Sequence, residues 1–201
     1  MFYSNTLFSS LGSPDLVTFL IGSVNFLSVF GGLFLLFRYG RKSIMVTFNL
    51  GMAIILFLVG FVSLKQSGWK PEDHEDGASN PYTVPSVLLV LIFIAFFEFS
   101  SGPITWLYMS EIMQDKTQSI ATVLNWLVNL VISLVTPSLI SSIGKDNIGY
   151  IFMSVGVLTL IGAIFMYFFM IETKGLSPQE IDEKFAGKED QRRVNQELLR
   201  D

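Results

Sequence analysis

The chain has 201 residues, of which 51% are hydrophobic and only 15% charged, with 19 phenylalanines and a net charge of −4. A water-soluble domain of this length has no use for so much apolar surface, so the composition describes a polytopic membrane protein, and the acidic balance argues against nucleic acid as a partner. The absence of cysteine excludes disulfides and thiolate chemistry, and the single histidine, His74, sits in an acidic loop without companions for a metal, so no metal and no cofactor is expected.

Residues 1 to 12 are too short to cross a bilayer and read as the outer part of a helix. Val17 to Phe37 is the first complete span, with small residues Gly22, Ser23, Gly31 and Gly32 for close helix approach and one amide, Asn25. Arg38 to Lys42 forms a tight basic turn, and Ser43 to Leu64 the second span. Residues 65 to 85, rich in Pro, Gly, Asn and acids, read as a solvated loop. Ser86 to Met109 is the third span, uncharged except for Glu98 and interrupted by Gly102-Pro103. Ser110 to Gln118 is a charged turn, and Ile120 to Ile143 the fourth span, bent near its end by Pro137. Tyr150 to Ile171 is the fifth. The transmembrane unit thus covers 1–175 and a polar tail 176–201, where Ser177-Pro178-Gln179-Glu180 carries the capping signature of a short helix through Ile181 and Phe185.

Basic residues orient these spans, because Lys and Arg are retained on the cytoplasmic side. Ten fall in 38 to 42, 110 to 118 and the tail, against three, Lys65, Lys70 and Lys145, on the other face. The carboxy-terminus is therefore expected inside and the amino-terminus outside.

The chemistry concentrates between Phe96 and Asn129. A carboxylate at mid-span costs about 2.5 kcal/mol or more and either bonds a neighbouring helix or faces a polar pathway. Glu98 is open to both readings. Trp106 fits an interfacial aromatic belt or a cavity wall, and its place just after the Gly102-Pro103 break favours the cavity. Asn125 and Asn129, four residues apart, share a helix face beside Trp126, either joining helices or facing a ligand. Amides that both donate and accept, with flat indoles, suit an uncharged polyhydroxylated solute, whereas an anion would want Lys or Arg inside a span. At the basic end, Arg38, Arg41 and Lys42 face Glu111, Asp115 and Glu172, either as a plain orientation signal or as ion pairs that hold helix ends together in one conformation. No nucleophile with a base and no metal cluster points to an enzyme.

These motifs, in this order, resemble the sugar porters of the major facilitator superfamily. FYSNTLF resembles the outer end of the family's seventh helix, and R-Y-G-R-K at Arg38 to Lys42 its basic inner loop. F-E-x-x-x-G-P-x-x-W at Phe97 to Trp106 with Glu111 resembles the tenth helix, N-W-x-x-N at Asn125 to Asn129 the eleventh, and E-T-K-G at Glu172 to Gly175 the start of the tail. The resemblance runs from residue 2 to about 185 and implies an all-α half-fold of five complete membrane helices plus the outer part of a sixth. It implies sugar contacts from Asn25, Phe97, Glu98, Trp106, Asn125 and Asn129, gating by Phe2, Tyr3, Gly102 and Pro103, and a cytoplasmic charge network of Arg38, Arg41, Lys42, Glu111 and Glu172. Three positions depart from the family pattern: Phe37 where an acid precedes the first Arg, Gln118 where an Arg follows Glu111, and Ile171 where a Pro precedes E-T-K-G. The function implied is transport of hexose-like sugars or polyols by alternating access, in a multi-pass protein in contact with membrane lipid, with an amino-terminal half or another transporter half as partner. The alternative is a truncated half without transport of its own, serving as an interaction partner or representing an incomplete gene product.

Overall fold

In lipid, a chain must satisfy its backbone polar groups internally, and apolar runs of this length do so as helices. The computed structural model describes residues 14–69, 80–113 and 115–187, and every regular element among them is helical. The expected outer helix at residues 1 to 12, with Phe2 and Tyr3, lies outside the described residues. The elements are α1 (Pro14–Arg38), α2 (Arg41–Ser67), α3 (Thr83–Phe99), α4 (Ser101–Ile112), α5 (Asp115–Ile143), a 3₁₀ turn (Lys145–Asn147), α6 (Ile148–Phe169) and a final helix α7 at 178–187. With α3 and α4 counted as one interrupted span, five segments are long and apolar enough to cross a membrane.

Helices overrun the apolar runs at most ends. Most of the charged turn expected from Ser110 to Gln118 is helical, since α4 runs to Ile112 and α5 begins at Asp115. Apolar composition marks the hydrocarbon layer, whereas the hydrogen-bonded ladder continues into the polar interface. α5 runs without interruption through Pro137.

The tightest packing is between α2 and α6. They run antiparallel: Gly60 meets Gly149, and Ala53 meets Gly156. Gly149, Gly156 and the fully buried Ala163 recur every seven residues, so small side chains form one seam along α6. A Cβ on Gly60 would stand 2.7 Å from the Gly149 carbonyl, and one on Gly149 would overlap the Gly60 carbonyl in return. The backbones are therefore as close as two glycines permit. Helix α3 then packs in the angle between α1 and α2, where Ile21 and Val87 form one small core with Val90, Leu91 and Ile94. A second core joins Ile44 and Met45 of α2, Ile104 of α4 and Met170 after α6. By contrast, α5 has no buried residue and touches its neighbours at its two ends, near α4 and the 3₁₀ turn.

The tail helix follows the capping pattern. Ser177 donates its N–H and hydroxyl to one Glu180 carboxylate oxygen at 2.7 and 2.8 Å, and the Glu180 N–H returns to the Ser177 hydroxyl at 3.4 Å. These bonds hold the Glu180 carboxyl below the usual carboxylate range. Ile181 is buried and Phe185 half-buried, as the amphipathic spacing requires.

Candidate functional site

The interruption of the third span comes at Ser100, two residues before the Gly102-Pro103 pair expected to cause it. Ser100 has φ −131° and ψ −88°, outside the helical region. The proline is still the physical cause. In a continuous helix its ring would collide with the carbonyl of Phe99, and its nitrogen has no hydrogen to offer that carbonyl. The chain therefore breaks just after Phe99 and restarts at Ser101. Pro103 then lies in the first turn of α4, where the missing N–H belongs to the donors that any helix start leaves unpaired. The first returning bond runs from the Ile104 N–H to the Ser100 carbonyl at 3.0 Å. Ser100 is itself fully buried and donates its hydroxyl to the Phe96 carbonyl at 2.8 Å, absorbing one of the acceptors that the break frees.

Glu98 stands one turn above the proline, on the last turn of α3. Its carboxylate accepts a 2.7 Å hydrogen bond from the Asn25 amide on α1. Its backbone carbonyl approaches Gly32, where an added Cβ would lie only 2.7 Å away. Gly102 flanks the same carboxylate, with an added Cβ 3.2 Å from Oε2. Side chain and backbone of Glu98 are thus both engaged by α1, and glycines on both sides leave room for it.

Phe97 and Trp106 lie on either side of the break and are 42% and 41% exposed, so both present ring faces away from the packed core. Asn125 and Asn129 are exposed on α5, where the Asn129 amide donates to the Asn125 carbonyl at 2.9 Å. Neither bonds to the Asn25–Glu98 pair among the described residues. The structure therefore brings Asn25, Glu98 and Gly102 into one cluster, with Phe97 beside it and Trp106 one turn beyond Gly102 on α4, and leaves the two α5 amides exposed and apart from it.

The residues at the basic end assemble around two carboxylates. Arg41 and Glu111 form an ion pair at 3.0 Å with side chains 18% and 20% exposed. The other Glu111 oxygen accepts the Thr173 hydroxyl at 2.5 Å. Glu172 accepts the Arg41 N–H at 2.8 Å on one oxygen and the Lys42 N–H at 3.2 Å on the other, which makes it the cap of α2. The residue at the ordinary capping position, Gly40, has no side chain to do so. Lys174 donates to the Phe37 carbonyl at the end of α1, at 2.8 Å. The Lys42 ammonium lies 5.7 Å over the Tyr167 ring, and both line, with Glu172, a cavity of about 340 Å³ between α2 and the end of α6. Arg38 is exposed and ion-pairs with none of the described residues.

Four polar residues in these contacts are absent from the sequence-based site. Asn49, buried on α2, donates to Ser101 of α4 at 3.0 Å; Tyr108 accepts the Ile171 N–H at 3.1 Å; Thr173 is described above. The signal for Asn49 was available, since an amide in an otherwise apolar span needs a partner. Nothing in the sequence pattern identifies that partner as Ser101.

An interrupted membrane helix with a carboxylate engaged at its break, in a bundle of spans joined by a charged layer at one end, is the build of a solute carrier half. The family model for sugar (and other) transporters matches residues 1–185, and the chain belongs to that family. It is 32% identical, over 94% of its length, to the facilitated trehalose transporter Tret1 of Drosophila grimshawi and to that of Polypedilum vanderplanki. It spans 20% and 37% of those two proteins. Among solved structures it is similar to the proton:xylose symporter XylE bound to 6-bromo-6-deoxy-D-glucose, with a TM-score of 0.77 and 26% identity over 90% of this chain and 38% of that one. A structure of a D-xylose-proton symporter matches with a TM-score of 0.70 at 27% identity, covering 87% of this chain and 39% of that one. The protein is thus a multi-pass membrane protein of a transporter family, with the fold of a major facilitator half.

Proposed function

We propose that the chain forms the carboxy-terminal half of a carrier for hexose-like sugars or their disaccharides, with Asn25, Glu98, Phe97 and Trp106 contacting the solute and Asn125 and Asn129 joining them when the second half closes over the open surface. The observation that carries the reading is the Asn25–Glu98 pair at the helix break. A carboxylate and an amide together offer both acceptors and donors, rings on either side of the break offer apolar faces for a sugar ring, and no Lys or Arg among the described residues bonds to the pair. Trehalose and xylose are the solutes in the names of its relatives, which favours a neutral polyol over a charged solute.

The basic end is cytoplasmic in this proposal, by the distribution of Lys and Arg. Its Arg41–Glu111 pair and Glu172 cap close the inner side in one state and part in the other as the two halves rock. α5, with no buried residue, presents the face on which the other half stands.

The test is stereoselective uptake of labelled D-glucose and trehalose into proteoliposomes containing the chain, alone and together with the amino-terminal half of a Tret1 relative supplied as a second polypeptide. Saturable uptake that Glu98→Gln and Trp106→Leu each reduce about tenfold, equivalent to about 1.4 kcal/mol of solute contact, supports the proposal. Uptake that is absent in both preparations, or indifferent to both substitutions, refutes it.

A further inference from the structure

We infer that Asn49 is a positioning residue: through its bond to Ser101 it sets the angle of α4 below the helix break, and so the placement of Trp106 relative to Glu98. The inference rests on the solute-site reading above for its consequence, and on the packing of α4 for its basis.

The two segments of the interrupted span share α2 as a neighbour and differ in the other: α3 also packs on α1, and α4 on the segment after α6. α3 is fastened to α1 by the Asn25–Glu98 bond and by the Ile21–Val87 core. On α4, the hydrogen bonds, ion pair and core contacts made to α2 and to the segment after α6 come from one stripe, Ser101, Ile104, Tyr108 and Glu111, spaced as successive turns of one helix face. That stripe binds α2 and the segment after α6: Ser101 to Asn49, Ile104 among Ile44, Met45 and Met170, Tyr108 to the Ile171 N–H, Glu111 to Arg41 and Thr173. Thr105 and Trp106 lie off this stripe and are exposed.

α4 therefore belongs mechanically to α2 and the inner charged layer, while Glu98 belongs to α1. The backbone between them is the non-helical Ser100, which resists bending little because no helical hydrogen bond spans it in full. Asn49–Ser101 is the contact nearest that pivot. The Asn49 amide also donates to the Met45 carbonyl of its own helix at 2.7 Å, so its side chain is fixed before it meets α4. Ser101 can answer in both senses, accepting from the amide nitrogen at 3.0 Å or donating to the amide oxygen at 3.3 Å. Phe48, next to Asn49, packs edge-on against Phe96 and Phe99 on the other side of the break. Adjacent residues of α2 thus grip the two sides of the pivot, one by ring packing and one by a hydrogen bond. At this depth a broken amide bond finds no water to replace it, so the contact is either made or its loss is felt as a change in the position of α4.

The chain has no native cysteine, so single reporters can be placed without further change. Thr105→Cys, beside Trp106, reports on α4, and Val84→Cys, near the start of α3, serves as the control. Each is reacted with a soluble maleimide in proteoliposomes, in the parent and in Ser101→Ala, Asn49→Leu, the double variant and Ser101→Thr. Ser101→Ala removes one oxygen and leaves the fold a conservative change to accept. The expected result is a rise in the Thr105→Cys rate of about fivefold in either single variant, the shift that one buried hydrogen bond confers. The double variant should match the singles, Ser101→Thr should return the rate to within about twofold of the parent, and Val84→Cys should stay constant. Parental Thr105→Cys rates in Ser101→Ala, multiplying effects in the double variant, or equal changes at Val84→Cys would each overturn the inference. Because labelling needs no solute flux, a parent without sugar uptake would refute the transport reading and leave this result standing.

Discussion

Replacing Gly40 with alanine tests how the basic end is closed. Gly40 precedes α2 with φ −75° and ψ 152°, a conformation that alanine adopts without strain. A Cβ there would overlap the Glu172 carboxylate, which takes the N–H groups of Arg41 and Lys42. The added methyl therefore acts by displacing the cap and not through the backbone. Loss of a capping side chain costs about 0.5–2 kcal/mol, and loss of a carboxylate from a helix N-terminus about 0.3–1 kcal/mol more. Alanine recovers about 0.4–1 kcal/mol by restricting the unfolded chain. The net expectation for Gly40→Ala is a destabilisation of about 1–2 kcal/mol, and for Glu172→Ala about 1–3 kcal/mol. Once Glu172 is alanine there is no cap to displace, so adding Gly40→Ala should be neutral or stabilising by up to about 1 kcal/mol. Equilibrium unfolding of the four detergent-solubilised proteins, followed by helical circular dichroism, measures the cycle. An equal loss from Gly40→Ala in both backgrounds would refute the cap.

Three further outcomes follow from the packing and the tail. Gly149→Val places its Cβ in the Gly60 carbonyl and against the Leu64 side chain, and should destabilise by about 3 kcal/mol, the upper end for overpacking; Gly162→Ala, mid-helix and meeting open space, should be neutral or stabilising by up to about 1 kcal/mol in the same melting assay. Asn25→Ala should cost about 0.5–1.5 kcal/mol while Glu98 is present and clearly less beside Glu98→Leu, which removes the acceptor; equal costs in both backgrounds would mean that Asn25 acts through packing alone. Amide protection in the 178–187 helix, the exchange rate taken relative to the intrinsic rate at each pH, should hold steady above the ordinary Glu range and fall only as pH drops through the depressed Glu180 value, since a lowered folded pKa gives stability that is present above the unfolded pKa and lost on acidification. Ser177→Ala should remove that pH dependence, and its persistence would assign it elsewhere.

The spans, their number and the polar tail helix were legible in the sequence because each depends on local composition. An apolar run long enough for the bilayer has to become a helix wherever it is placed, and Ser177 to Glu180 carries its own cap. The residues of the basic layer were legible as charges of opposite sign on one side. The sequence pattern also pointed to Glu98, since an acid in a span demands a partner, but only the structure shows that Asn25, 2.7 Å away on another helix, is one.

Partnership between distant segments is what tertiary structure alone decided. Charge gave Arg38, Arg41 and Lys42 equal standing, yet packing of α2 against the segment after α6 selects the side chain of Arg41 and the backbone of Lys42, and leaves the Arg38 side chain exposed. Pro103 announced a break, while its position at Ser100 follows from which carbonyl the ring would strike, and its fastening to Asn49 from how α2 lies beside α4. Amides on one helix face likewise share a direction by their spacing; whether Asn125 and Asn129 meet Glu98 depends on where α5 stands, and no periodicity along α5 encodes that. Composition and period fix what each segment must be because those constraints act within one helix. Which residues touch across helices is set by the approach of whole surfaces, such as the Gly60–Gly149 seam that draws α2 and α6 together, and that information is spread over residues far apart in the chain.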